Sequence, residues 1–318
     1  MKFGVGLPHE MGSEIGFVLE YARRAEEYGF DSVVMADHVF FENEALTTFA
    51  AAAAQTRRVK IIPFVLDGNR RDPATLAHAT ATLDRLSGGR LVLGFGRGVW
   101  NESYYGFEIR EPVARMEEVI RLLKRFWAGG EVTSSSRFFR FDKASSLVAK
   151  PLQNPHPPIW VAAFGERMLR IAISLGDGFI TQNMPAQLLK KTIAETKHRR
   201  SSIGCGSGFE AVYGAMPTAI SENREEAWRL VQASARSFLV RHAARLFQEF
   251  GCEKPWGCPE DVPENAIEEC FLFGTPNHLR RRIEEYQGAG ADYLVFQQVL
   301  PVGFESLRML SDVLQSFR

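Results

Sequence analysis

The fold of this chain is organised around one segment, Leu91-Val92-Leu93-Gly94-Phe95-Gly96-Arg97-Gly98-Val99-Trp100-Asn101. Its first half is an apolar run that is typical of a buried strand. Its second half is a glycine-rich turn that contains one arginine. Glycines allow a backbone to approach a ligand closely and expose N–H groups to it, and a guanidinium suits phosphate. We interpret the segment as a strand that ends in a phosphate site. The alternative is a tight turn that carries a surface arginine.

The composition is that of an ordinary soluble globular protein. The chain has 318 residues, of which 45% are hydrophobic and 24% are charged, and its 38 basic residues balance its 38 acidic residues. This balance gives no electrostatic basis for a nucleic-acid or anionic-membrane partner. The first apolar run, residues 1–7, is too short for a signal peptide and is followed by Pro8. We therefore expect a cytoplasmic protein without a membrane span.

The cysteines and acidic residues do not form a metal motif. The four cysteines lack the spacing of a zinc site, and a chain this long and poor in cysteine does not need a disulfide framework. We expect reduced, structural thiols at these positions: Cys205, Cys252, Cys258 and Cys270. His9, Glu10 and Asp37 also match no ligand pattern, so no metal is predicted.

Apolar strand patterns alternate with helix patterns from Lys2 to Phe317. Asp72-Pro73 and Thr275-Pro276 each combine a capping side chain with a proline suited to the first helical turn. Eight strand-then-helix units in a row favour a closed (β/α)₈ TIM barrel over an open sheet. We predict a single α/β barrel domain over residues 1–318. Excursions at the barrel mouth are predicted near 131–158 and 251–270.

In such a barrel the active site lies at the carboxyl ends of the strands. This places Asp37-His38, Arg97 and Phe164-Gly165 on one face. His38 could transfer a proton near neutral pH, or it could simply cap a loop. Arg97 could bind phosphate or pair with Glu102 or Glu108. The N–H of Gly165 could bind an anion at a helix start, or Gly165 could be an ordinary turn residue.

Two further clusters are given structural interpretations. Arg70-Arg71-Asp72 precedes a predicted helix; it could bind an acidic group, but charges in that position are more often solvated. Phe138, Phe139 and Phe141 are expected to pack the first excursion rather than to stack on a ligand.

Several motifs together resemble the bacterial luciferase-like, flavin-dependent monooxygenases, and the resemblance spans nearly the whole chain. No single motif is specific to this family, but the motifs taken together are. The motifs are Lys2-Phe3-Gly4, residues 25–34 (AEEYGFDSVV) leading to Asp37-His38, residues 82–90 (TLDRLSGGR), residues 158–163 (PIWVAA) and Gly274-Thr275-Pro276.

The resemblance implies a flavin site. Residues 97–101 (RGVWN) are similar to the Arg-Gly-Leu-Tyr-Asn segment of the luciferase α chain, in which the arginine contacts the FMN phosphate. The implied cofactor-binding residues are Arg97, Gly96, Gly98, Val99, Phe64, Val65, Phe164 and Gly165. Phe64-Val65 matches a cis peptide that lies under the flavin in the family. Asp37-His38 is similar to a Glu-His pair, which implies that His38 and Asp37 are catalytic.

The implied reaction is that of a two-component monooxygenase. A separate flavin reductase would supply reduced FMN (FMNH₂), and O₂ would form a flavin C4a-peroxide that oxygenates a small organic substrate. The family also implies a homodimer. Val39 stands where luciferase has a second histidine, and the mouth segments differ, so substrate and light emission do not carry over. F420-dependent hydride transfer on the same barrel and a non-catalytic flavin-binding protein are the alternatives.

Overall fold

A computed structural model of the chain describes residues 1–8, 13–39, 42–98, 109–144, 147, 149–205, 208–242 and 244–318. Within these residues, nine strands form one parallel sheet in the order β3-β2-β1-β13-β10-β9-β8-β5-β4. These strands are β1 (Lys2–Gly6), β2 (Ser32–Met35), β3 (Lys60–Pro63), β4 (Leu66–Asp67), β5 (Leu93–Gly96), β8 (Ile159–Ala162), β9 (Gly178–Gln182), β10 (Glu210–Ala215) and β13 (Tyr293–Phe296).

The sheet closes into a barrel through β3, β4 and β5. A parallel bridge joins Ile61 of β3 to Leu91, just before β5, and Leu66 of β4 pairs with Phe95 of β5. Because β3 and β4 are two pieces of one interrupted strand, the nine described strands fill eight positions. The structure therefore confirms the predicted α/β barrel.

Helices cover the outside of the barrel. The described helices are α1 (Ile15–Glu27), α2 (Ala45–Gln55), α3 (Pro73–Leu86), α4 (Pro112–Ala128), α5 (Glu166–Leu175), α6 (Ala186–Ser202), α7 (Arg224–His242), α8 (Glu264–Cys270), α9 (Pro276–Gly288) and α10 (Phe304–Leu314). Both predicted caps are confirmed. Asp72 accepts the N–H of Thr75 at 2.9 Å, and Thr275 accepts that of His278 at 3.4 Å. In the described part of the chain, no helix combines the length and apolar composition needed to cross a bilayer.

The strands carry apolar side chains on both faces, since one face lines the barrel interior and the other packs against the helices. Side chains on the inner face fill the barrel with a separate cluster of ten buried residues: Val34, Ile62, Phe64, Val92, Trp160, Ala162, Ile180, Val212, Tyr293 and Val295. Alternate residues, such as Val33 and Ile61, face the helices and join the larger core. Continuous apolar runs are what a parallel sheet covered on both faces requires.

The two excursions match their prediction only in part. The first contains the expected antiparallel hairpin, β6 (Val132–Ser135) paired with β7 (Arg140–Ala144). Phe139 is buried there and lies under the Arg115 guanidinium, 4.4 Å from its ring centre. This agrees with a packing role for the phenylalanines.

The second excursion was predicted less well. The sequence before this excursion predicts one long helix over 222–250, but α7 ends at His242, and a 3₁₀ segment follows over Ala244–Phe250. No glycine or proline marks this change. The excursion also holds α8 and leads to β12 (Leu272–Gly274), which pairs with β11 (Thr218–Ile220). β11 also pairs with β14 (Val299–Leu300), so β12-β11-β14 forms a small sheet beyond the ends of β10 and β13.

Candidate active site

The carboxyl end of β2 carries Asp37, the centre of a buried ion-pair network. Its carboxylate accepts hydrogen bonds from Arg71 Nη1 and Nη2 at 2.5 and 2.9 Å and from the N–H of Asp67 at 3.1 Å. Arg70 donates to the Asp37 carbonyl oxygen at 2.6 Å and pairs with Asp67 at 3.1 Å. The side chains of Asp37 and Arg70 are only 5% and 7% exposed. The expectation that Arg70 and Arg71 are solvated is therefore wrong, because both neutralise a buried aspartate.

The same network shapes the glycine turn after β5. Asn69 donates its side-chain amide to the carbonyl oxygen of Arg97 at 2.8 Å. Gly98 has φ +78°, and a Cβ there would lie 2.4 Å from Oδ2 of Asp67. Only glycine fits this position without displacing the buried aspartate. Asp67 and Asn69 together fix the backbone of the predicted phosphate site.

The side chain of Arg97 takes no part in the contacts made by Asp67 and Asn69. Its side chain is exposed, and its guanidinium forms no ion pair or hydrogen bond with the described residues. Glu102 and Glu108, the alternative partners considered for it, lie outside those residues, as does Val99. An exposed guanidinium beside a fixed glycine turn is available to an anionic ligand.

His38 follows Asp37 directly and lies half-buried at the mouth. Burial is the main cause that lowers its pKa below the usual value, and the nearby Arg70 cation adds to this effect. The Asp37 carboxylate opposes the shift, but Arg70 and Arg71 already compensate its charge. His38 is therefore neutral at pH 7, with one ring nitrogen able to accept a proton and the other to donate one.

The break in the third strand places a bulky ring inside the barrel. The Phe64–Val65 peptide is cis, which confirms the expectation from the family resemblance. The Phe64 side chain is buried, and its Cε1 lies 3.2 Å from where a Cβ on Gly214 would be. Val65 packs over Gly96, whose Cβ would meet the valine methyl at 2.5 Å. These residues close the barrel interior directly below the mouth.

After β8, the strand that pairs with β5, Gly165 caps the start of α5. A Cβ added there would meet no atom of the described residues within 4 Å, so the side-chain position of Gly165 is open in that part of the chain. The preceding Phe164 is 37% exposed, an unusual exposure for a large apolar side chain. Both residues lie at the end of β8, where the prediction placed them.

A pair of amide side chains spans the ends of β9 and β13. Gln297 Nε2 donates to Gln182 Oε1 at 3.0 Å, and both residues are half-buried. Gly214 makes room for this pair, because a Cβ at that position would lie 2.5 Å from Gln297 Nε2. Both glutamines lie where predicted strands end, so the sequence places them on this face, but no pattern in it indicates that they bind each other.

Comparison with known proteins agrees with this arrangement. A family model described as luciferase-like monooxygenase matches residues 1–293. The chain belongs to the luciferase-like monooxygenase family. It is 35% identical to an F420-dependent glucose-6-phosphate dehydrogenase of Gordonia bronchialis over 297 residues, which cover 88% of this chain and 86% of that enzyme.

Solved structures of this family share the fold. A monooxygenase of Streptomyces bottropensis superposes with a TM-score of 0.80 at 26% identity, over 99% of this luciferase-like chain and 98% of that one. The F420-dependent tetrahydromethanopterin reductase of Methanopyrus kandleri superposes with a TM-score of 0.82 at 20% identity, over 100% and 99% of the two chains. Related enzymes are thus oxidoreductases, and family members use either FMN or F420.

The residues at the mouth fit such a cofactor. An exposed arginine and the glycine N-cap of α5 suit its phosphate group. Asn69 is 2% exposed and is held by its amide nitrogen, while its Oδ1 has no hydrogen-bond partner among the described residues. A buried amide oxygen without a partner is costly, so it is a ready acceptor for a hydroxyl of the cofactor side chain.

Proposed function

We propose that this luciferase-like protein is a monooxygenase that uses reduced FMN and O₂ to oxygenate a small organic substrate. The observation that supports this proposal is the exposed Arg97 guanidinium, carried by a glycine turn whose backbone is fixed by the contacts of Asp67 and Asn69. A single cation beside backbone N–H groups suits a terminal phosphate monoester, the group with which FMN ends. When bound, the reduced flavin would supply the electrons that activate oxygen.

The chain's own residues have separate tasks in this proposal. Arg97 and the N–H groups of Gly98 and Gly165 bind the phosphate. Phe64 and Val65 would support the ring system of the flavin, and their apolar side chains would keep water from it. Neutral His38 holds or accepts the proton that moves during oxygen transfer. Asp37, fixed by Arg71, orients the segment that carries His38.

A second function has its own support. The curated relative from Gordonia bronchialis is F420-dependent at 35% identity, so hydride transfer with F420 is the competing proposal. The same phosphate site would then bind a phosphodiester, and His38 would take the proton from an alcohol-type substrate as hydride leaves. Oxygen would have no part in that reaction. A flavin-binding protein without turnover is the third possibility.

Titration of the purified protein with each cofactor decides between these proposals. We expect the protein to bind reduced FMN more tightly than reduced F420. When a flavin reductase supplies reduced FMN, we expect ¹⁸O from ¹⁸O₂ to appear in at least one compound of a panel of ketones, aldehydes and arenes. Anaerobic F420 reduction by an alcohol or sugar, with weaker FMN binding, would instead establish hydride transfer. Tight FMN binding without any ¹⁸O-labelled product would support the third possibility.

The partners are also part of the proposal. We propose that the reductase is a separate protein, that the enzyme acts in the cytoplasm, and that two copies associate as a homodimer through the small side chains of α2. Light scattering after size exclusion tests the last point. A mass near 35.7 kDa would contradict the homodimer.

A further inference from the structure

Two glutamine side chains at the barrel mouth form a pair to which the proposed function gives no role. Gln297 Nε2 donates to Gln182 Oε1 at 3.0 Å, and both residues are half-buried. The Nε2 group of Gln182 forms no hydrogen bond with a described residue. It is an oriented donor, and its partner has to come from water or from a ligand.

The pleat of the strands directs this pair into the barrel. Gln182 ends β9, and Gln297 directly follows β13. Ile180 and Val295, each two residues before one of the glutamines, belong to the buried cluster that fills the barrel interior. Side chains two residues apart on a strand share a face. The pair therefore lies on top of the apolar interior, at the mouth.

The pair also lies next to Phe64, which the proposed function assigns to the flavin ring. Gly214 of β10 is in register with Gln182 of β9. A Cβ on Gly214 would be 2.5 Å from Gln297 Nε2 and 3.2 Å from Phe64 Cε1. The amide and the phenyl ring thus converge on one position that glycine keeps open. A ligand that rests on Phe64 therefore lies beside the amide pair.

Strand order separates the pair from the residues assigned to the cofactor. Those residues follow β3, β5 and β8, which are neighbours in the closed sheet. The pair follows β9 and β13, on the other arc of the barrel, and His38 follows β2 at the end of that arc. A substrate that reaches both the cofactor and His38 lies across this arc, above the amide pair.

The free group of the pair determines what it can recognise. An amide nitrogen of glutamine is uncharged and only donates, so it suits an uncharged acceptor oxygen, such as that of a carbonyl group. A polar group left without a partner when a ligand displaces its water is costly. The pair therefore distinguishes an oxygen-bearing substrate from a hydrocarbon of the same shape.

We propose that Gln182 is a specificity-determining residue that donates from Nε2 to a carbonyl-type oxygen of the substrate, and that Gln297 is the positioning residue that fixes the orientation of this donor. The inference rests on the proposed function for the place of the cofactor and of His38. Ligand binding tests it without turnover.

The test compares each of three carbonyl compounds with the hydrocarbon in which CH₂ replaces the oxygen. The pairs are cyclohexanone with methylenecyclohexane, acetophenone with isopropenylbenzene, and decanal with its terminal alkene. Ligand-observed NMR gives Kd for each compound, both in the cofactor-free protein and in the protein loaded with the cofactor it binds. Because the hydrocarbons are more apolar, the result is read as the change, between wild type and variant, in the ratio of hydrocarbon Kd to carbonyl Kd.

Three variants separate recognition from support of the fold. Gln182→Met keeps an unbranched side chain without the amide, so the ratio should fall about fivefold, the typical net contribution of one hydrogen bond. Gln297→Met leaves the donor in place but free to rotate, so the ratio should fall less. Gln182→Glu keeps an acceptor for Gln297 and replaces the free donor by an oxygen. At pH 8 this variant should favour cyclohexanol over cyclohexanone, the reverse of the wild-type preference.

The matched control is Gln287→Glu, the same change at an exposed position of α9, which should leave every ratio unchanged. A ratio that is the same in wild type and in Gln182→Met for all three pairs would overturn the inference, as would a wild-type protein that binds no carbonyl compound of the set. A ratio that falls in Gln182→Met in a protein that binds neither FMN nor F420 would contradict only the proposed function.

Discussion

The carboxylate of Asp37 accepts hydrogen bonds from both terminal nitrogens of Arg71, at 2.5 and 2.9 Å, so the pair is bidentate. This pair joins the segment after β2 to the start of α3, and the partners are 34 residues apart in sequence. Arg70 approaches the same carboxylate at 3.4 Å. The orientation of the predicted catalytic segment therefore depends on a charge balance inside the protein rather than on a loop in solvent.

Replacing Asp37 with Asn should destabilise the protein strongly. Two arginines would lose their shared negative partner in a poorly hydrated place, and breaking a buried pair costs about 3–5 kcal/mol. We expect a loss in the lower part of this range, since Arg71 is 21% exposed. Urea unfolding measures it. Glu44→Gln, which removes the exposed partner of the same arginine, should cost below about 1 kcal/mol. Equal losses in the two variants would contradict the importance of burial.

Two glycines in the predicted phosphate site should respond differently to alanine. Gly98→Ala introduces a Cβ 2.4 Å from an Asp67 oxygen at a backbone φ of +78°, so we expect lower stability by about 1–3 kcal/mol and weaker cofactor binding. Gly165→Ala introduces a Cβ that meets no atom of the described residues within 4 Å and should leave the unfolding midpoint almost unchanged. If the cofactor phosphate occupies that space, Gly165→Ala still weakens binding. Unchanged affinity in Gly165→Ala would place the phosphate elsewhere.

Removing the Arg97 guanidinium should lower affinity for the phosphate group specifically. A hydrogen bond to a charged group contributes about 1.5–3 kcal/mol, and the exposure of Arg97 favours the low end, about tenfold in Kd. Arg97→Ala should therefore weaken FMN binding about tenfold without changing the binding of riboflavin, which lacks the phosphate. Fluorescence titration gives both values. Equal losses for the two ligands would show that Arg97 acts on the turn rather than on the phosphate.

His38→Ala should separate binding from turnover. The side chain is expected to act on the proton rather than on the phosphate, so cofactor affinity should stay within about twofold while turnover falls about 10²–10⁴-fold, the usual contribution of general acid–base catalysis. Since burial and Arg70 lower the pKa of His38, the acidic limb of the wild-type pH–rate profile should lie below pH 6.5. His38→Ala should lose that limb. Turnover that survives the substitution would rule out the role.

The barrel was predictable from the sequence because the signals that mark its helices and strands are local in the chain. Asp72-Pro73 and Thr275-Pro276 mark helix starts by residues adjacent in the chain, and apolar runs mark the strands. The small sheet β12-β11-β14 was not found, since its strands have only two or three residues. Such short strands are held by backbone pairing, which leaves no side-chain pattern.

The site was predictable only where a motif or a resemblance indicated it. His38, Arg97 and the cis peptide after Phe64 came from such signals. Asn69 did not, and Arg70 was noted only as part of a charged run, because each acquires its role from a partner that the fold supplies. A buried arginine and a solvated one look the same in a sequence when the neutralising aspartate is 33 residues away.

The pairing of β1 with β13 sets Lys2 beside Tyr293, and this has a consequence for synthesis on the ribosome. While the chain is being made, β1 can pair with β2 but its other edge has no neighbour until β13 has emerged. Nearly all of the catalytic face is translated long before the sheet that supports it can close. A nascent chain with such an open strand edge is exposed to wrong pairing, so a chaperone that covers the free edge of β1 until β13 has been made should raise the yield of active protein.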